Sequence, residues 1–207
     1  MAFTSTTRKY AVTLGMILAC ASTGVLAKTP TKKGSPPAAV WDKEPTSFLG
    51  FDLGKPLRSD IPTCPASVRE FAATGAACLQ GADGDRVRDV WFGPNLGIPY
   101  SDSILLQDGK VASVTLKTPA DNYDALKRML VTRYGPPTKT SVASVQSMAG
   151  AELISEENEW DGPRVSIRLR QRYGQIDQSV VTVDAKALMK VFVDEMHAKE
   201  NGAASKL

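Results

Sequence analysis

Residues 103–137, SILLQDGKVASVTLKTPADNYDALKRMLVTRYGPP, constrain the fold more than any other stretch, because each boundary in them has a local physical cause. Asp108-Gly109 lies between two runs of β-type residues, the strongest short-range hairpin signal. On the return strand Ala112, Val114 and Leu116 fall on one face, and Ser113, Thr115 and Lys117 on the other. Asp121 is a natural N-cap after Pro119. Tyr123, Leu126, Leu130 and Tyr134 then recur at helical spacing until Gly135-Pro136-Pro137 stops the helix. Strand, helix and strand in succession predict a helix packed on one face of a mainly antiparallel sheet.

The flanking sequence adds strands around this unit. Ser47–Asp52 reads as a first strand, stopped by Gly54-Lys55-Pro56, and Ala66–Ala73 as a short helix. Val87–Phe92 reads as a strand, followed by a Gly/Pro loop, Gly93–Tyr100. Lys139–Val145, Leu153–Trp160, Arg164–Tyr173 and Val180–Asp184 read as strands, the middle two flanking Asp161-Gly162. Ala185, Leu188, Met189, Phe192, Val193 and Met196 make one face of a last helix, with fraying expected from Glu200. The expected class is α+β: a mainly antiparallel sheet, a central and a C-terminal helix packed on one face, and one disulfide-closed loop.

The N-terminus carries a secretory pattern. Arg8-Lys9 precedes a short apolar run, YAVTLGMILACA, and Val25-Leu26-Ala27 offers small residues at −3 and −1. The run falls short of the roughly 20 residues that span a bilayer. Cleavage after Ala27 gives a periplasmic or secreted protein. The alternative site, Ile17-Leu18-Ala19-Cys20, would make Cys20 a lipidated N-terminus and the protein an outer-membrane lipoprotein. The expected organisation is a signal peptide at 1–27, a Pro/Lys-rich tether at 28–46, one domain at 47–200 and a disordered tail at 201–207. Within the tether Trp41 is the one large apolar residue, expected to dock on the domain.

Export bears on the cysteines. Apart from Cys20 there are Cys64 and Cys78, and an even pair in an oxidising compartment predicts a disulfide. Charge argues against nucleic acid. The formal net charge is +3, but residues 1–33 hold five bases and no acid, and subtracting five leaves residues 34–207 at −2.

Candidate chemistry is sparse. His197 is the only histidine and is expected to be solvated, and two cysteines with one distant histidine make no metal site. Gly81–Asp85 reads as a turn rather than a calcium loop. No GxSxG, HExxH, P-loop or GxGxxG pattern occurs, and no metal or cofactor is implied. Two surfaces are candidates for partner binding. In RVSIRLRQR, Arg164, Ser166, Arg168, Arg170 and Arg172 share a strand face opposite Val165, Ile167 and Leu169. A two-residue turn at Asp161-Gly162 would set Glu159 opposite Arg164 and Glu157 opposite Ser166, leaving Arg170 and Arg172 as a positive surplus. The other surface is the loop carrying Leu96, Ile98 and Tyr100, a lid on the core or a contact surface.

Leu130, Tyr134-Gly135-Pro136 and Trp160, with Leu53-Gly54-Lys55-Pro56 earlier, resemble the punctuation of small exported α+β domains of Gram-negative bacteria. The outline is also loosely similar to the β-lactamase-inhibitor-protein-like group that includes small outer-membrane assembly lipoproteins. That resemblance implies a non-catalytic, protein-binding role, and it transfers no functional residue. The expectation is a cell-envelope accessory protein, acting as an inhibitor, immunity or assembly factor on another envelope protein. The alternatives are a small envelope hydrolase using paired carboxylates, for which the sequence nominates no pair, and a purely structural envelope component.

Overall fold

The computed structural model describes residues 41–65, 76–82, 84–147 and 150–205. The expected signal peptide with Cys20, and the expected helix at 66–73, lie outside them. In chain order come β1 (Ser47–Phe48), β2 (Phe51–Asp52), β3 (Cys78–Gln80), β4 (Val87–Trp91), β5 (Ser101–Gln107) and β6 (Lys110–Pro119). A 3₁₀ turn, Ala120–Asn122, leads into α1 (Tyr123–Tyr134). Then follow β7 (Lys139–Gln146), β8 (Glu152–Asp161), β9 (Val165–Arg170), β10 (Gln178–Ala185) and α2 (Lys186–Ala204).

Asp108 and Gly109 have φ of 52° and 72°, the paired left-handed values of a two-residue hairpin turn, and join β5 to β6 as expected. From that hairpin the sheet grows to eight antiparallel strands in the order β3-β4-β5-β6-β10-β9-β8-β7. Register aligns one face into rows. Ile104, Val114, Val183, Ile167 and Trp160 form one row, and Val90, Asp102, Leu116, Val181, Leu169 and Asn158 the next. Onto these rows α1 lays Tyr123, Leu126, Leu130 and Tyr134, all buried, as their spacing predicts.

The Tyr-Gly-Pro stop has a physical account. Gly135 sits at φ 80° and ψ −175°, a region open essentially only to glycine. Two indoles satisfy carbonyls at the end of α1: Trp41 Nε1 donates to Tyr134 O and Trp160 Nε1 to Gly135 O, each at 2.8 Å. Trp41 is therefore docked, and the domain begins inside the expected tether. Glu44 extends that strap: its carboxylate accepts from the Arg164 and Val165 amides at 2.6 Å and from Arg164 Nε at 3.0 Å. Cys64 and Cys78 form the expected disulfide.

Four expectations change. Ser47–Asp52 is not one strand but a hairpin, turning on Leu49 (φ 49°) and Gly50 (φ 87°). Asp121 is not the N-cap, because the 3₁₀ turn carries the chain to Asn122, whose side chain donates to Thr118 Oγ1 rather than capping. The helix α2 continues to Ala204, into the expected tail. It meets the sheet at the end where β5 finishes and β4 begins: Glu195 accepts from Gln107 Nε2 and Arg86, each at 2.8 Å, and no α2 residue is fully buried. Finally, β8 and β9 are joined by a longer loop, with Asp161 opposite Ser166.

Candidate functional site

The longer β8–β9 loop decides the fate of the arginine face. Glu159 now lies opposite Arg168 and Glu157 opposite Arg170, four residues along from the register that a two-residue turn would give. Arg168 bridges Glu157 at 3.2 Å and Glu159 at 3.5 Å, while Arg170 reaches Glu157 at 3.5 Å and stacks 4.3 Å from the Tyr173 ring centroid. Arg172 donates to the backbone oxygens of Ile154 and Ile176, and Arg164 pairs with Glu44. Asp184, deep on the same face, accepts from Ser113 Oγ at 2.6 Å. Burial pushes its carboxyl above the usual range, against that hydrogen bond and the two arginines. Arg170 is thus paired with Glu157, whereas Arg172 keeps its charge, its guanidinium held by two neutral backbone carbonyls.

The apolar loop has the opposite outcome. Ile98 and Tyr100 pack half-buried against the core, with Thr118 Oγ1 donating to Pro99 O and Tyr100 OH to Pro94 O. Leu96, half-buried against the core like them, also lines a half-open cleft of ≈ 320 Å³ between the loop, the β1–β2 hairpin and α1. Leu116 lies in its floor, Phe48 and Leu49 form one wall, and Leu126, Met129 and Leu130 form the other. Arg133 is the one charged residue of the lining among the described residues and is exposed. Leu49 is held at positive φ, which costs a branched side chain roughly 1–2 kcal/mol. Such strain persists where the surroundings over-determine it, and here it sets an apolar side chain in the wall of the cleft.

Beneath the same loop sits Asp102, 6% exposed, with Oδ2 making no hydrogen bond among the described residues. A Cβ on Gly93 would lie 2.7 Å from Tyr100 OH and 3.3 Å from Asp102 Oδ2, so the loop closes tightly over this carboxyl only because residue 93 is glycine. Burial chiefly, and the Asp89 charge secondarily, push Asp102 up to about 6. Burial, with Asp102 nearby, pushes Tyr100 up to about 12. Nothing in the local sequence marks Asp102 as buried; only its row neighbours, Val90 and Leu116, do so. Arg133 and Leu49 were likewise invisible as site residues before the hairpin and loop were placed beside α1.

The two candidate surfaces lie on opposite faces. Ile167 and Leu169 point to α1 and the core, so Arg168 and Arg170 point away from it and from the cleft. Five clefts formed by described residues are each lined by at most one carboxylate: Asp177 in one, Asp52 in another, Glu157 in a third. Among the described residues no group of three or more His, Cys, Asp or Glu side chains is placed to hold a metal ion, and His197 is exposed on α2. No described helix is long and apolar enough to cross a membrane. Comparison of the chain with protein-family models, with curated proteins and with solved structures finds no match.

Proposed function

We propose that this is an exported, non-catalytic accessory protein of the cell envelope that works by binding another protein. The cleft beside Leu96 carries the reading. It is apolar and half open, its lining among the described residues holds no acid, and it carries one exposed cation, Arg133. Those properties fit an apolar anchor side chain of a partner, with an acidic neighbour placed to meet Arg133. The secretory N-terminal pattern and the disulfide both favour an oxidising compartment. The resemblance to small exported α+β domains implies the same kind of role. The hydrolase alternative draws no support from the five clefts described, none of which is lined by two carboxylates among the described residues.

Pull-down from periplasmic extract tests this, using wild type, Met129→Glu, Arg133→Glu and the double change Arg170→Glu/Arg172→Glu. Met129 is only half-buried, so a charge there enters the cleft without entering the core. Expected is one enriched protein, retained by the Arg170/Arg172 variant and lost with Met129→Glu and Arg133→Glu. Recovery indifferent to the cleft variants overturns the assignment. Loss with the arginine pair alone moves the site to the sheet face. No discrete partner with wild type favours the structural alternative.

A further inference from the structure

The two edges of the sheet are treated differently. At one edge β3 is three residues long, and its outer side is already occupied: Cys64 N donates to Leu79 O, Leu79 N donates to Pro62 O, and the disulfide ties the two segments. At the other edge β7 runs eight residues, KTSVASVQ, all exposed except half-buried Val145, with no strand on its outer side among the described residues. Its register with β8 is unbroken from Lys139↔Glu159 to Gln146↔Glu152, so no bulge twists it away. It contains no proline and one charge, Lys139 at its start. Apart from Lys139 at its start, the devices by which proteins protect a free edge are therefore missing from β7, while β3 is short and covered.

Hydrogen-bond parity shows which groups of β7 face outward. Ser147 N donates to Ala151 O at 2.8 Å, on the continuation of the β7–β8 register, so the odd residues of β7 bond to β8. On the far side of β8, Gln171 N donates to Glu156 O and Gly162 N to Val165 O, which assigns its even residues to β9 and agrees. The N–H and C=O groups of Thr140, Val142, Ser144 and Gln146 consequently point out of the sheet. Their side chains lie on the α1 face, where Val142 is 64% exposed and Ile154, beside Ser144, is 68% exposed.

We propose that this edge is an interface with a second copy of the chain, β7 pairing antiparallel with its two-fold mate so that the two eight-stranded sheets become one. In the register that sets Val142 opposite Ser144 of the mate, every outward group of Thr140 through Gln146 finds a partner. Lys139 then faces Ser147 and not its own mate. The exposed Val142 and Ile154 of both copies gather into one apolar patch on a single face. The helices have room: α1 lies over β8 through Lys127–Glu156 and Tyr123–Asn158. The two β8 strands stand three strand spacings apart, about 14 Å, against a helix diameter of about 10–12 Å. A strand whose backbone, low charge and apolar neighbours all suit itself favours self-pairing over a foreign segment. The interface is independent of the cleft.

Sedimentation of the purified protein over a wide concentration range, with Val142→Lys and Ala143→Cys, tests this. Val142→Lys puts like charges close together across the seam without touching an inward bond, and should weaken the dimer by about tenfold or more. Ala143 meets its own mate at a non-hydrogen-bonded position, with Cα atoms about 4.5 Å apart, so Ala143→Cys should yield an interchain disulfide under oxidising conditions. A wild-type dimer with both effects is the expected result. A wild-type monomer at every concentration, with no Ala143→Cys cross-link, overturns the proposal and leaves the edge to a foreign strand or to none. A dimer insensitive to Val142→Lys places the interface elsewhere and also overturns it.

Discussion

The buried carboxyl of Asp102 makes the most quantitative prediction. Its folded-state pKa is raised from 3.8 to about 6, chiefly by burial. At about 1.36 kcal/mol per pKa unit, ionising it inside the fold costs about 3 kcal/mol relative to ionising it in the unfolded chain. The sign follows from proton uptake. Below about pH 3 both states are protonated and nothing is lost. As pH rises toward and past 6 the folded state holds a proton that the unfolded state has released, and stability falls, levelling off near pH 8. Asp102→Asn keeps the shape and removes the charge. It should come within about 0.5 kcal/mol of the wild type at pH 4 and exceed it by up to about 3 kcal/mol at pH 8. In a chain of this size that corresponds to roughly 6–12 °C in Tm. Urea unfolding of both proteins from pH 4 to 8 reads the difference directly and cancels the contributions of Asp184, Glu44 and Glu156. Parallel profiles, or a variant less stable than wild type at pH 8, would refute the argument that Asp102 is buried without adequate partners.

Other outcomes follow from single contacts. Glu44→Ala strands the Arg164 and Val165 amides, one of which is partly buried, and should cost about 2–3 kcal/mol in denaturant unfolding. Burial raises the Glu44 carboxyl, but those hydrogen bonds and Arg164 outweigh it and hold it below the usual range. Its contribution is therefore present above the unfolded pKa and lost as pH falls through the folded one. Replacing Cys64 and Cys78 together by serine opens a 14-residue separation and should cost about 3 kcal/mol, measured against wild type without reductant. Trp160→Phe leaves Gly135 O without its donor and a gap in a fully buried site, so a loss of about 2–4 kcal/mol is expected by the same assay.

Elements specified by neighbours in sequence were legible; those specified across the sheet were not. Asp108-Gly109 and the spacing of Tyr123, Leu126, Leu130 and Tyr134 carry their own geometry, and both appear in the fold as read. The β8–β9 register is not legible locally, because Asp161-Gly162 has the letters of a two-residue turn. The observed loop instead closes around Glu44, whose carboxylate holds Arg164 and Val165 from 120 residues away. A Cβ on Gly162 would meet that carboxylate at 2.6 Å, so this glycine serves a close approach and not a turn type. The cleft was half legible: Leu96 stood out as an apolar residue on a Gly/Pro loop, but its wall depends on Leu49, which looked like the middle of a strand.

Compensation separates the cleft and the β7 edge from the arginine face. Arg168 and Arg170 are salient in sequence and neutralised in the fold, since Glu157 and Glu159 on the next strand take up their charge. Cross-strand pairs of that kind contribute under about 1 kcal/mol each and describe a solvated sheet face. The cleft and the β7 edge are the reverse. Their residues are unremarkable as letters, yet among the described residues the fold leaves something there unanswered: apolar walls open to water with one exposed cation, and a row of backbone groups with no strand beside it. Water can satisfy those backbone groups, so neither feature unfolds the protein. Each lowers the cost of bringing a partner to that place, because the partner exchanges water for contacts already preorganised. The two sites are built on different elements, α1 with the β1–β2 hairpin in one case and β7 in the other. A chain can thus pair through its edge and still present one cleft per copy, giving two equivalent sites on a single continuous sheet.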